Sequence, residues 1–316
     1  MRRSHPNCAF LRPWLVALAL LAAGTVLAAC SVEPVAAPRS PSASDVSQTP
    51  MACNGSPLLC DRRLDQVVFA TTHNAMSNAE EGWLAPNQHF SLVRQLDDGV
   101  RGFMLDLHPY NGEDPALQGQ LALCHGPCSL GSELIGSGLR KFRAFLAARP
   151  HEVLVLILQD HDVPEMAIAS ALQAAGLLAQ CHAQPLGQPW PTLRELIASG
   201  RRIVVLSEAE TGKAPWNHAY GKYLFDTPYA AKTAADFSCE VLRGQPGNSL
   251  FLVNHFLTNP LANARYAEQV NHNPLLQERV ATCQKVRQRQ VNFIAVDFYD
   301  IGDLLPLVAA LNAVGP

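Results

Sequence analysis

The chain has 316 residues, 48% of them hydrophobic, and a formal net charge of -3. Such a composition supplies a full buried core and so excludes a disordered chain. The slight acidic balance shows no basic bias that would suggest nucleic acid as a partner.

Taken from the N-terminus, Arg2, Arg3 and Arg12 frame the apolar run "WLVALALLAAGTVLA". At about 15 residues this run is short for a bilayer span but has the length of a secretory signal core. It ends in Leu27-Ala28-Ala29-Cys30, which resembles a bacterial lipobox, so residues 1-29 are expected to be a lipoprotein signal peptide and Cys30 the lipidated N-terminus. Ordinary cleavage after small residues, releasing a free secreted protein, is the alternative. Either route exports the chain, as a lipoprotein anchored in the periplasm or at the cell surface or else as a secreted protein. Residues 30-50, rich in Pro, Ser and Ala without an apolar period, read as a disordered tether.

Export changes the meaning of the nine cysteines. Cys8 leaves with the signal and Cys30 carries lipid, while Cys53, Cys60, Cys124, Cys128, Cys181, Cys239 and Cys283 enter an oxidising compartment. Cys53 with Cys60 and Cys124 with Cys128 are the natural local pairs. The other three cannot all pair, and the sequence does not say which stays free. No C-x2-C pair with a matching downstream pair appears, which argues against zinc.

From 51 to 316 no linker-like break occurs, and the span has the size of one eight-stranded barrel. Short, continuously apolar runs predict strands at 67-71, 102-107, 121-125, 152-160, 202-207, 223-226, 250-255 and 292-298. Helices are expected between most of them. "LRKFRAFLAARP" puts Leu139, Phe142, Phe145 and Leu146 on one face. "DVPEMAIASALQAAG" has Asp162 as a candidate N-cap and ends at Gly176. Thr192 with Glu195 forms a capping box, and "DLLPLVAALN" supplies a last helix. Between the second and third predicted strands only the turn-rich "HPYNGEDPALQGQ" is present. The predicted fold is therefore α/β, a distorted (β/α)8 TIM-type barrel lacking the helix between strands 2 and 3.

Barrel chemistry gathers at the C-terminal strand ends. Those ends carry His73 and Asn74, Asp106 with His108, His125, Gln159 and Asp160 with His161, Glu208, Asp226, His255 and Asp297. Two histidines converging with carboxylates suit phosphodiester cleavage, one imidazole taking a proton from the attacking hydroxyl and the other giving one to the leaving oxygen. Asn74, Asp106 and Asp160 form an oxygen-rich set suited to calcium or magnesium. Asp297 is placed to orient a histidine, or else to hold the closing strand. His108, His161, Glu208 and His255 are assigned to the substrate pocket, with packing the alternative for the histidines. Arg101, inside "GVRGF", reads as structural.

The ordered set "TTHNAMS", "QLDDGVRGFMLDLH", "LCHG" and "VLVLILQDHD" resembles the catalytic X-region of phosphatidylinositol-specific phospholipases C and the wider PLC-like phosphodiesterases. The resemblance implies a distorted barrel with His73 and His125 in acid/base catalysis. It matches Asn74 and Asp106 to the metal ligands of metal-dependent members. Those enzymes carry glutamates where this chain has Met104 and Gln159, and Asp160 is the candidate substitute. The reading that results is an exported, monomeric phosphodiesterase acting on a phospholipid head group, anchored to a membrane through Cys30 and using calcium. A glycerophosphodiester phosphodiesterase or phospholipase D-like enzyme, and a catalytically silent head-group-binding lipoprotein, are the rivals.

Overall fold

The computed structural model describes residues 51-160, 162-209 and 213-314. The signal peptide, the tether and Cys30 expected from the sequence lie outside the described residues, as does His161. In chain order the elements are β1 (Phe69–Thr72), α1 (Leu92–Asp98), β2 (Gly102–Pro109), β3 (Leu121–Leu123), β4 (Glu133–Leu134), α2 (Ile135–Ala148), β5 (Leu154–Gln159) and α3 (Glu165–Ala174). The second half contributes α4 (Leu193–Ala198), β6 (Ile203–Ser207), β7 (Asn217–Ala219), α5 (Tyr220–Tyr223), β8 (Leu224–Asp226), β9 (Leu250–Asn254), α6 (Ala264–Val270), α7 (Leu275–Arg287), β10 (Phe293–Val296) and α8 (Leu304–Ala313).

Eight strands form one curled parallel sheet in the order β7-β6-β5-β2-β1-β10-β9-β8. Among the described residues no pairing joins β7 to β8, so the barrel is open along that seam. The α/β, TIM-type class expected from the sequence is the class observed. The roster of strands differs at two places. Residues 121-123 do not enter the barrel but fold back antiparallel on β2, pairing Leu107 with Leu123, and then pair with β4. A hairpin needs no crossover helix, which is why none lies between β2 and β3. The place in the barrel goes instead to β7, whose three residues Asn217, His218 and Ala219 show no apolar run.

Period-two alternation organises the core. Phe69, Met104, Val155, Ile157, Val204, Leu206, Leu224, Leu250, Leu252, Phe293 and Ala295 belong to one cluster, made mainly of strand residues and so filling the barrel. Their neighbours Ala70, Leu105, Leu156, Val205, Phe251, Val253 and Ile294 belong to a second cluster. That cluster also holds Leu96, Leu139, Phe142, Leu146 and Leu172 from the helices, and it is the outer layer. Burial of both strand faces explains the unbroken apolar runs of the sequence. β1 and β2 approach closely because residue 102 is glycine; a Cβ there would run into the Thr71 side chain.

The helix ends follow sequence chemistry with one exception. Thr192 and Glu195 form the expected box, Glu195 N donating to Thr192 Oγ1 at 3.2 Å and Thr192 N to Glu195 Oε2 at 2.7 Å. Asp162 does not cap α3, whose N-cap is Pro164; the Glu165 carboxylate instead accepts from the Lys213 and Ala214 amides. At the opposite end of β2 from Asp106, Arg101 pairs with Glu152 at 2.7 Å and donates to the Leu96 and Val100 carbonyls, a structural role.

Disulfides join Cys53 to Cys60, Cys124 to Cys128 and Cys239 to Cys283. Among the described residues Cys181 is the free cysteine, and it is buried.

Candidate active site

The inward file of the alternation, continued to the C-terminal strand ends, consists of His73, Asp106, Gln159, Glu208, Asp226, Asn254 and Asp297. A cavity of about 500 Å³ opens above them, and all of these except Asp226 and Asp297 line it, together with Asn74 and His125.

His73 is the most firmly held. Its backbone N–H donates to the Val296 carbonyl at 3.0 Å, extending the β1–β10 ladder past the strand end. Its ring lies flat on Phe256, centroids 3.8 Å apart and planes 5° from parallel. Nδ1 sits 2.9 Å from Oδ1 of the buried Asp297. A carboxylate there makes Nδ1 the donor, so in the neutral imidazole the lone pair is on Nε2. Asp297 thus stands in contact with a histidine, the arrangement that the first of its two expected roles requires.

His125 reaches the cavity by another route. It follows β3 inside the loop closed by the Cys124–Cys128 disulfide. Cys124 N donates to the Asp106 carbonyl and Cys128 N to Asn111 Oδ1 at 3.0 Å, which fixes both ends of the loop. The His73 and His125 ring centroids are 6.5 Å apart and the rings meet edge to face at 68°. Burial and then the charge of His73 hold the His125 imidazole below its ordinary 6.5, against the pull of Asp297.

Asp106 is buried beneath this pair, and the Gln159 amide, oriented with its nitrogen toward the carboxylate, donates to both oxygens at 3.2 Å. Burial pushes the Asp106 carboxyl up to about 7, with His73 opposing the rise and Glu208 adding to it. Glu208 in turn is ion-paired to Arg243 at 2.7 Å. Arg243 also donates through Nε to the fully buried Asp226 at 2.9 Å, and Tyr220 Oη donates to the same carboxylate at 2.8 Å.

Several residues singled out in the sequence fall elsewhere, and phase explains two of them. Asp160 follows Gln159 and so points outward; Oδ2 accepts from Ser207 Oγ at 2.6 Å and Oδ1 from the Ala209 amide at 3.1 Å. His255, one past Asn254, is likewise out of phase. It is fully buried with Nε2 donating to the Val270 carbonyl at 2.8 Å, and burial takes its pKa down to about 4. Neither lines the cavity, and nor does His108, which lies on the hairpin extension of β2. Phe256 and Arg243 were missed. Phase could have found Phe256, two residues past Asn254, whereas Arg243 comes from the connection after β8 and carries no local signal.

Of the residues expected to hold a cation, the Asp106 carboxylate and the Asn74 side chain line the cavity, with Glu208 beside them but paired to Arg243. Among the described residues no group of three or more His, Cys, Asp or Glu side chains stands where it could hold a metal ion. These donors fit a hard divalent cation only as a partial cage, the remaining positions falling to substrate oxygens and water.

Comparison with known proteins agrees with this architecture. The family model for the PI-PLC X domain, PI-PLC X 1, matches residues 59-312, and the chain belongs to that family. It is 28% identical to PI-PLC X domain-containing protein 1 of Arthroderma benhamiae, over 84% of this chain and 90% of that one. It is 29% identical to an uncharacterized secreted protein of the same fungus, over 83% of this chain and 64% of the relative. A PI-PLC X domain-containing protein of Arabidopsis thaliana is also 29% identical, over 78% of this chain and 62% of its own length. Among solved structures, the phosphatidylinositol-specific phospholipase C of Listeria monocytogenes superposes with a TM-score of 0.55 at 20% identity, covering 80% of this chain and 95% of that one. That likeness supports the barrel fold.

Proposed function

We propose that this chain is a PLC-type phosphodiesterase that cleaves a head-group phosphodiester, with a phosphoinositide the leading substrate class. The observation that carries the proposal is the His73–Asp297 pair at 2.9 Å facing His125, whose ring is 6.5 Å from that of His73, across the cavity at the strand ends. His73 Nε2 removes the proton from a head-group hydroxyl next to the phosphate. That oxygen bonds to phosphorus as the bond to the lipid glycerol oxygen breaks, and His125 gives its proton to the departing oxygen. The products are a cyclic phosphate and a diacylglycerol. Asp297 fixes the His73 tautomer and stabilises the imidazolium that forms.

Calcium, or magnesium in its place, would be held by Asp106 and Asn74. When bound it would supply counter-charge for the phosphoryl oxygens. The same role for Asp160 is weakened by its hydrogen bonds in the barrel wall.

Export, with a lipid anchor at Cys30, is part of the proposal. Three disulfides suit an oxidising compartment, and one relative is described as secreted. A head-group-binding protein without turnover is the second reading, favoured by Met104 and Gln159 where carboxylates would complete a stronger cation cage. Phosphorus NMR of phosphatidylinositol incubated with the oxidised protein separates the two. A cyclic phosphate product supports the enzyme; unchanged substrate with saturable head-group binding would replace it with the second reading. Repeating the incubation with calcium and with chelator tests Asp106 and Asn74.

A further inference from the structure

We infer that Asn87 is a positioning residue for the His73–Asp297 pair, fixing the carboxylate oxygen on which the base depends. Asp297 Oδ1 accepts two hydrogen bonds, from His73 Nδ1 at 2.9 Å and from Asn87 Nδ2 at 3.0 Å. Asp297 Oδ2 is buried and makes no hydrogen bond among the described residues. The rotation of this carboxylate therefore rests on Oδ1 alone. Without Asn87, His73 would be its single partner, and a mobile acceptor cannot hold a mobile imidazole to one tautomer and one ring orientation.

Asn87 is itself built in to do this. It is 1% exposed, its N–H donates to the Ser77 carbonyl at 3.0 Å, and its carbonyl accepts from Phe298 N at 2.8 Å. Phe298, directly after Asp297, has a left-handed φ of 48°, a conformation rare for a bulky side chain and held here by that bond. The next residue, Gln88, completes the clip. Its Nε2 donates to the carbonyls of His73 at 2.8 Å and Val296 at 3.1 Å, and its Oε1 accepts from Tyr299 N at 3.1 Å. Two consecutive side chains from the connection between β1 and α1 thus tie the strand end that carries His73 to the strand end that carries Asp297. The amide orientation follows from the same arrangement, since turning Asn87 over would set its oxygen against the Asp297 carboxylate.

The catalytic consequence rests on the proposed function; the structural one does not, and the test reads them separately. Proton NMR of the oxidised full chain follows the His73 Nδ1 proton, assigned with H73Q, in wild type, N87A and N87L. N87L keeps the size of asparagine while removing the donor and adds no charge. The expected result is a protected downfield Nδ1 proton in wild type that shifts and exchanges rapidly with water in both variants, with unchanged circular dichroism. On phosphatidylinositol, kcat should fall about tenfold in N87A, the scale of one hydrogen bond to a charged group, with KM within about twofold. An Nδ1 proton in N87A or N87L that is as protected as in wild type would overturn the inference. A rise in KM with kcat intact would also overturn it, by making Asn87 a substrate contact. Absence of turnover in wild type would remove the proposed function, and the NMR arm would still decide the role of Asn87.

Discussion

The two histidines stand in corners of unlike construction. His73 ends a barrel strand, and the parallel ladder, a stacked Phe256, Asp297 and the Asn87-Gln88 clip all converge on it. His125 follows a three-residue strand that has left the barrel, and its place is set by a disulfide loop and two backbone contacts. A side chain carried by a sheet inherits position from the hydrogen-bond register. One delivered by an excursion needs a brace of its own, and here the brace is covalent.

The largest effect expected is loss of either histidine. H73A and H125A should each reduce kcat by about 10² to 10⁴, the range of a lost general base or acid, measured by product release from phosphatidylinositol. Equal activity in either variant would remove that corner from the mechanism.

Breaking the brace should distinguish the corners. C124A/C128A should lower kcat by up to about 10², because a shift of about 1 Å in a reacting group has that scale of effect. The His73 Nδ1 proton should stay unchanged in this variant. If both corners loosen together, the comparison fails.

pH sharpens the contrast next. Since burial holds His125 below 6.5, its protonated form is populated on the acid side, and kcat should decline as pH rises through a limb below that value. Asp106 acts on stability rather than on this limb. Its folded pKa of about 7 lies above the ordinary 3.8, so the native state keeps a proton that the unfolded chain has released. The resulting stabilisation is complete below 3.8 and is lost as pH rises to about 7. Urea unfolding of wild type should show that decline, and D106N should flatten it. Calcium held at Asp106 should replace the proton, raising stability above pH 7 in wild type and not in D106N.

The smallest effect belongs to neither corner. T192A removes the cap of α4 and should cost about 1 kcal/mol in urea unfolding with kcat unchanged.

Much of this was legible in the residues. Burial on both faces wrote itself into continuous apolar runs, so the barrel and most of its strands could be read, and strand ends gathered His73, Asp106, Glu208 and Asp297 into one neighbourhood. The runs do not tell a parallel strand from an antiparallel one, so 121-125 reads as a barrel strand although its strand pairs antiparallel outside the barrel. β7 is short and contains Asn217 and His218, so no apolar run marks it as a strand. Within the site the error was one of phase: Asp160 and His255 sit one residue beyond inward-facing Gln159 and Asn254, and a slip of one reverses the face. Counting by twos from Phe69, Val155 and Leu250 would have separated them. Asn87, Gln88 and Arg243 lie in connections, where neither period nor propensity marks a residue that will fold back on the site.

The most direct test of the account is hydrolysis of an inositol phosphodiester with a nitrophenol leaving group, which departs without help from an acid. H125A should regain most of its rate on this substrate relative to phosphatidylinositol, whereas H73A should remain as impaired as before. Equal recovery in both variants, or in neither, would contradict the assignment of His73 as base and His125 as acid.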